Sequence, residues 1–419
     1  MKGDHGHHRG EGVVDKPEPH GASSRSRRGL DLFVFFVADV QTGFGPFVAV
    51  YLTTQKWTQT DIGLILTIGG LIALFGQIPG GAVLDAMRSP RLAAGISVTL
   101  ICLSAFMLAL WPTFIVVLVS RILQASASCV LGPAIAALSL GLVERHEIGE
   151  RLGRNGSFAS VGTGLAAAGM GACGYYISNQ AVFFVTAAFI VPALFALVQI
   201  DRRDIDVDRA HGGSGNQRLT VASIMQLLGN RTLAAFAFCV LLFHLANAAL
   251  LPLVASMLTL RSSQSSAALI AVAMVVPQFV VAVFSPFVGR KAQSWGRKPL
   301  LLVGFSALAV RALLFAIVTP SQLIIAVQVL DGISAAVLGV LVPLSIADIT
   351  RHSGRFNLTQ GLIGCAMGIG ASISTTLAGF LSDRYNSYAT FLTLGVVAII
   401  GFVAVWLLMP ETRPDDPDD

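Results

Sequence analysis

Long apolar runs alternate with short polar segments along the whole chain. A helix needs about 20 apolar residues to cross about 30 Å of hydrocarbon. Runs of that kind fall at 30–52, 62–84, 92–111, 113–140, 156–177, 181–200, 232–257, 266–289, 299–319, 321–348, 358–380 and 388–408. The pattern predicts an all-α membrane protein with twelve transmembrane helices. It excludes a membrane barrel, whose strands read as alternating segments of about ten residues. Residues 1–29 are polar and lack an apolar core, so they read as a disordered cytoplasmic tail and not as a signal peptide. The longest polar stretch between runs, 201–231, is a central cytoplasmic loop. It separates a six-helix unit at 30–200 from a second at 232–408, and 409–419 is a short cytoplasmic tail.

Composition agrees with the pattern. Only 12% of the 419 residues are charged and 54% are hydrophobic, against about 25% charged in a soluble chain. Too few polar residues are present to cover a soluble fold. This excludes a soluble enzyme, a nucleic-acid-binding domain and a disordered scaffold. The net charge of +5 is a matter of topology. Of the 28 Lys and Arg, 23 fall in the segments on the side of the N-terminus. Three fall in the opposite loops (Lys56, Arg261 and Arg384), and Arg121 and Arg311 lie inside spans. Basic loops stay cytoplasmic, so both termini are expected in the cytoplasm. The five cysteines at 102, 129, 173, 239 and 365 all lie in apolar runs without a Cys-x-x-Cys pair. They read as packing residues and not as a disulfide or zinc framework.

The two units repeat each other. Gly81 and Asp85 in the loop after the second run match Gly289 and Gln293 after the eighth, at an offset of 208. Gly132 matches Gly339 at 207, and Gly162, Gly164 and Pro46 match Gly368, Gly370 and Pro252 at 206. A common offset at four places indicates a duplicated six-helix unit.

With these features the chain resembles the major facilitator superfamily over about residues 30–410. The family's loop signature, Gly-x-x-x-Asp-[Arg/Lys]-x-Gly-[Arg/Lys]-[Arg/Lys], is divided between the copies. The first keeps Gly81 and Asp85, followed by Arg88-Ser89-Pro90-Arg91. The second keeps Gly289, Gly296, Arg297 and Lys298, with Gln293 in place of Asp. Arg121-x-x-Gln124-Ala125 echoes the family's Arg-x-x-Gln-Gly in helix 4. Ser160, Gly164 and Gly169 loosely echo its helix 5 antiporter signature, with Leu165 where Pro is expected. The resemblance implies two pseudo-symmetric six-helix bundles that rock about a midplane substrate, with helices 1, 4, 7 and 10 around the cavity. It implies a cytoplasmic gate at Gly81, Asp85, Arg88, Gly289, Gly296, Arg297 and Lys298, in which Asp85 meets the end of helix 11. It also implies a bacterial inner membrane.

Charges at bilayer depth are costly and usually functional. The clear cases are Asp39, Arg121, His244, Arg311 and Asp331. Four of them lie on helices 1, 4, 7 and 10, about 12–18 Å from the nearer or cytoplasmic helix end at 1.5 Å per residue. Arg121 is expected to reach Asp39, and Asp331 to face His244. Asp39 is expected to carry the coupling proton, released as a substrate competes for Arg121. His244 is the alternative carrier, since imidazole titrates near neutrality. A purely structural ion pair remains open for each. Arg311 is expected to snorkel outward or to pair structurally. Gln41, Gln124, Asn247 and Gln328 stand within about a turn of these charges and can bind a polar solute. Phe36, Phe44, Phe47 and Phe243 can serve apolar solutes or face lipid.

No Walker or His-Glu-x-x-His motif occurs. His5, His7 and His8 in the tail read as incidental, with metal capture as the sharper alternative. No cofactor and no metal are expected, and the chain is not expected to be an enzyme. The expected partners are a small-molecule substrate, protons and the lipid bilayer, for a monomer that binds no nucleic acid. The leading function is proton-coupled efflux of small organic compounds. Uptake of a polar metabolite follows, and a receptor or assembly partner on the same fold is the reading from another class.

Overall fold

Polar capping residues mark where the helices begin. Thr58, Ser89, Ser178, Asn230 and Asn386 each accept a hydrogen bond from the backbone N–H three residues on, which satisfies donors that a helix start leaves free. The computed structural model describes residues 22–42, 44, 46–87, 89–213, 227, 229–261, 266–351 and 353–414. Its α-helices are α1 (Ser24–Thr42), α2 (Pro46–Thr54), α3 (Gln59–Phe75), α4 (Gln77–Ala86), α5 (Pro90–Leu110), α6 (Phe114–Leu142), α7 (Ile148–Tyr176), α8 (Asn179–Ala188) and α9 (Ile190–Val198). There follow α10 (Val207–His211), α11 (Arg231–Asn247), α12 (Leu250–Arg261), α13 (Ser266–Trp295), α14 (Arg297–Ile317), α15 (Ser321–Ile349), α16 (Phe356–Arg384) and α17 (Ser387–Leu408).

Among the described residues, nine helical segments are long and apolar enough to cross a membrane. A tenth arises when α3 and α4, bent by 49° at Gly76, are taken as one span. Two predicted spans fall outside that set. The first is divided between α1 and α2. The fifth, α7, is diluted by eight glycines and carries Glu150, Arg151 and Arg154 in its first turns.

Two hydrophobic cores divide the molecule near the central loop. One draws on residues from Leu30 to Ala210. The other draws mainly on residues from Leu227 to Met409, with a few side chains of α4, α6 and α7 packed onto it. The described parts of the predicted tail and central loop, residues 22–29 and 201–213, are helical in part and tied to the bundle. Residues 24–29 continue α1, and Ser23 Oγ donates to Asp204 at 2.6 Å. The central loop contains α10, whose buried His211 packs on the carbonyls of Leu84 and Met87 at 3.3 and 3.0 Å. Serine and histidine contacts thus fix segments whose low hydrophobicity reads as disorder. The histidines at 5, 7 and 8 lie outside the described residues.

Both chain ends meet at one face. Arg27 pairs with Glu147 at 2.8 Å, and Glu411 accepts from the backbone of Arg297 and Lys298 at 2.8 and 3.1 Å. This is the face that gathers the basic segments, here the basic end. There the halves cross backbone to backbone. A Cβ at Gly81 would overlap the carbonyl of Asn357, and one at Gly361 that of Gln77, so α4 and α16 touch through glycine. The second copy repeats the device. Gly289 of α13 abuts the carbonyl of Gly149 of α7, and Gly153 abuts that of Ser285. Further along, Gly164, Gly169 and Gly171 of α7 and Gly379 of α16 have no atom within 4 Å of a built Cβ. The tight glycine crossings between the halves named above thus lie at the basic end, and these further glycines cross no other helix.

Candidate functional site

The candidate cavity residues sit beside breaks in two helices. The first predicted span breaks between α1 and α2, three residues after Asp39. The seventh breaks between α11 and α12, four residues after His244. A break frees backbone groups that must be satisfied elsewhere. In the seventh span the N–H of Ala249 is taken by Ser374 Oγ of α16 at 3.1 Å. Broken helices of this kind commonly carry solute and ion sites in transporters.

In the N-terminal half, Asp39 is 2% exposed. Among the described residues it forms no ion pair and no side-chain hydrogen bond. The expected bond to Arg121 is not formed. Arg121 donates instead to Gln124 Oε1 at 2.9 Å, and Gln124 Nε2 donates to Ser128 Oγ at 3.2 Å. The guanidinium lies 5.9 Å from the centre of the Phe44 ring and against Gly69, where a Cβ would come within 3.2 Å of Nη2. Its Nε is buried with no partner. The i, i+3 amide on the same helix face and a glycine-sized space on α3 hold Arg121 away from Asp39. Gln41 is exposed.

The C-terminal half pairs differently from expectation. Asp331 bonds to Arg311 at 2.6 Å, not to His244. Arg311 is 1% exposed, which rules out snorkelling. It also donates to Asn247 Oδ1 at 2.7 Å and to Gln328 Oε1 at 2.8 and 3.1 Å. Asn247 and Gln328, expected to be free for a solute, are thus committed to a knot joining α11, α14 and α15. His244 is left with a buried Nε2 that has no partner. Phe243 packs on Phe305 with ring centroids 5.3 Å apart, in the core and not in a cavity.

At the basic end the Asp85 carboxylate accepts from the start of α16. The donors are Asn357 Nδ2 at 2.8 Å, Asn357 N at 3.3 Å and Leu358 N at 2.8 Å. An anion at a helix N-terminus meets unsatisfied N–H groups and the positive end of the helix dipole. Gln293, at the matching place of the second copy, donates to the carbonyl of His146 at 2.9 Å. The partner there is an acceptor, which suits an amide and not a carboxylate. Gly296, Arg297 and Lys298 do not bridge the halves. Gly296 has φ +92° and makes room for Glu411, while Arg297 pairs with Asp348 at 2.9 Å within its own half. Arg88 lies outside the described residues.

One network was missed at the sequence level. Asp31, buried in α1, bonds to Arg151 and, at 2.6 Å, to Arg154 of α7. Arg151 continues to Asn155 Oδ1 at 2.8 Å, and Asn155 Nδ2 to Ser139 Oγ at 2.6 Å. The signal was present: Asp31 falls inside the first predicted span and needs a counter-charge.

Comparison with known proteins places this geometry. A family model described as Major Facilitator Superfamily matches residues 30–253 and again 236–419. An uncharacterised MFS-type transporter of Mycobacterium tuberculosis (strain ATCC 25618 / H37Rv) is 35% identical over 396 residues, 94% of this chain and 95% of the relative. Multidrug resistance protein 1 of Bacillus subtilis (strain 168) is 27% identical over 137 residues, 32% of this chain and 35% of the relative. The solved E. coli fucose:proton symporter shares the fold with a TM-score of 0.74 at 15% identity, over 92% of this chain and 98% of the symporter. The family comprises transporters and not enzymes. Matched in both halves, and over nearly its full length by a transporter relative, the chain belongs to the Major Facilitator Superfamily and is a multi-pass membrane protein that works as a secondary transporter.

Proposed function

We propose that the chain couples proton movement to the export of small organic compounds, with Asp39 as the proton carrier. The observation that carries this reading is the uncommitted state of Asp39, Arg121 and His244. Each is an ionisable group at bilayer depth without a counter-ion among the described residues. Arg121 Nε and His244 Nε2 are orphaned buried donors or acceptors. Native proteins rarely leave such groups unsatisfied, and an arriving solute or proton satisfies them. Arg311 and Asp331 already satisfy each other and have a structural role in this scheme. Phe44, stacked under Arg121, offers an apolar surface beside the polar one, as organic compounds with both characters require. The likeness of about a third of the chain to a multidrug resistance protein supports export.

Gly81, Asp85 and Gly289 serve as the inner gate, Asp85 and the glycine crossings holding the basic end shut. The excess of Lys and Arg at the end that holds both termini supports a cytoplasmic location for that end. With that orientation the described conformation is closed toward the cytoplasm. The protein resides as a monomer in the inner membrane, with twelve crossings that include α1–α2 and α7. A second reading is proton-coupled uptake of a polar metabolite, favoured by the Arg121 guanidinium, which has no ion-pair partner among the described residues.

The test is flux in proteoliposomes with an imposed pH gradient and a panel of lipophilic drugs, sugars and organic acids. Solute-triggered proton movement that vanishes in Asp39→Asn is the expected result. Flux indifferent to both the gradient and Asp39 defeats proton coupling, and the class of solute that moves separates export from uptake.

A further inference from the structure

The basic end holds a cavity of about 690 Å³ that the transport cycle does not explain. Both halves line it. Arg145, Asp206 and Arg209 come from the N-terminal half and its linker, and Arg297, Asp348 and Arg351 from the C-terminal half. Of the three acids in the lining, Asp206, Asp208 and Asp348, Asp206 is neutralised by Arg209 at 2.8 Å and Asp348 by Arg297 at 2.9 Å, against five arginines in all. Arg413 is held by the carbonyls of Gln293 and Ser294 at 3.3 and 2.8 Å and forms no ion pair among the described residues. Arg351 is the singular case. Its charge acts on the nearby Asp348 carboxylate, but its buried Nε and Nη2 have no hydrogen-bond partner among the described residues. These two N–H groups form one edge of the guanidinium fork, the edge that binds a carboxylate or phosphate in bidentate fashion.

We infer that this cavity binds a multiply charged phosphate-bearing anion through the Nε–Nη2 edge of Arg351, and that the bound anion clamps the two halves together at the basic end. A lone phosphate fills little of a cavity in the usual size range of small-molecule sites, about 300–1,000 Å³. The lining provides no Phe, Tyr or Trp face for a nucleobase; besides the His146 imidazole its non-charged side chains are mainly Leu140, Ile148, Leu344 and Ala347. The ligand is therefore a compact di- or triphosphate group, either free in the cytosol or the headgroup of an anionic lipid. The binding claim stands on the cavity alone. The clamping claim rests on the alternating-access reading above, since separation of the halves would pull Arg209 away from Arg351.

The test is calorimetric titration of the purified full chain with inorganic pyrophosphate at fixed ionic strength. Saturable binding is expected, weakened about tenfold or more in Arg351→Gln, as befits loss of a bidentate charged contact. Arg202→Gln, a basic residue of the same end outside the cavity, is expected to bind like the parent. Arg413→Gln supplies a second variant of the lining if Arg351→Gln fails to fold. Absence of saturable binding, or equal weakening by Arg202→Gln, overturns the site. In nanodiscs, cardiolipin, whose headgroup carries two phosphates, identifies the headgroup as occupant if it competes with pyrophosphate, and indifference to cardiolipin against phosphatidylcholine identifies the free anion. Either result requires the site. For the clamp, Ser285→Cys in a background without the five native cysteines reports opening, because Ser285 is 1% exposed where α13 meets α7. Pyrophosphate is expected to slow its alkylation. Binding without that protection overturns the clamp and leaves the site.

Discussion

Arg311 Nη1 donates to Asp331 Oδ1 at 2.6 Å across α14 and α15, and this pair cancels the two opposite charges that the C-terminal half keeps at membrane depth. The relation predicts unequal consequences for single and double substitutions. Removing one partner of a buried pair strands the other, at a cost of about 3–5 kcal/mol. Arg311→Leu is expected to lower the thermal unfolding midpoint in detergent by that order. Arg311→Leu with Asp331→Leu is expected to recover most of it. A double variant as unstable as the single one would place the cost in Asn247 and Gln328, which lose the same guanidinium.

Asp39 stands in contrast. No counter-ion is stranded when it is neutralised, so Asp39→Asn is expected to change stability by less than about 1 kcal/mol. The same substitution is expected to abolish solute-triggered proton movement. A fall in the unfolding midpoint like that of Arg311→Leu would show Asp39 to be a structural residue.

Gly69 sets the position of Arg121. A single methyl at Gly69 meets the tip of a flexible side chain at 3.2 Å, and the guanidinium can yield by a few tenths of an ångström. Gly69→Ala is therefore expected to preserve solute flux. Gly69→Leu fills the space and drives the guanidinium out, so its flux is expected to fall about tenfold or more, the scale of one lost charged contact. It should match Arg121→Leu for the same solute. Normal flux in Gly69→Leu would remove Arg121 from the solute path.

The helical, two-unit organisation was legible because apolar run length and repeated glycines report directly on membrane span and backbone approach. Asp39, Arg121, His244 and Asp331 were legible as membrane-depth charges for the same reason. Their pairing was not. Arg121 and Asp39 lie on helices of the same half, but rotamer and register decide contact, and Gln124 one turn away offers Arg121 a nearer partner. Arg311 was set aside as peripheral because helix 9 is peripheral. Its side chain is long enough to cross the bundle to Asp331 from there. Gly296, Arg297 and Lys298 matched a family motif by type, yet in this chain they anchor Glu411. The motif records residue identity and leaves the partner undetermined.

Asp85 and Gly81 make the most direct test of the inner seal. The Asp85 carboxylate offers only acceptors to three donors at the start of α16. Asp85→Asn turns one of those oxygens into an NH2 that faces N–H groups, losing about 1–3 kcal/mol of a charge-assisted contact. Gly81→Leu acts sterically, because no Cβ fits against the carbonyl of Asn357. Both substitutions weaken a contact made only when the basic end is shut. Both are therefore expected to shift the population toward the state open at that end and to speed alkylation of the Ser285→Cys reporter. Transport is expected to slow in both while expression is spared, since a cycle must form the seal once per turnover. Gly289→Leu, in the matching crossing of the second copy, is expected to act in the same direction. Unchanged initial rates together with unchanged alkylation in Asp85→Asn would reject a gating role for that carboxylate.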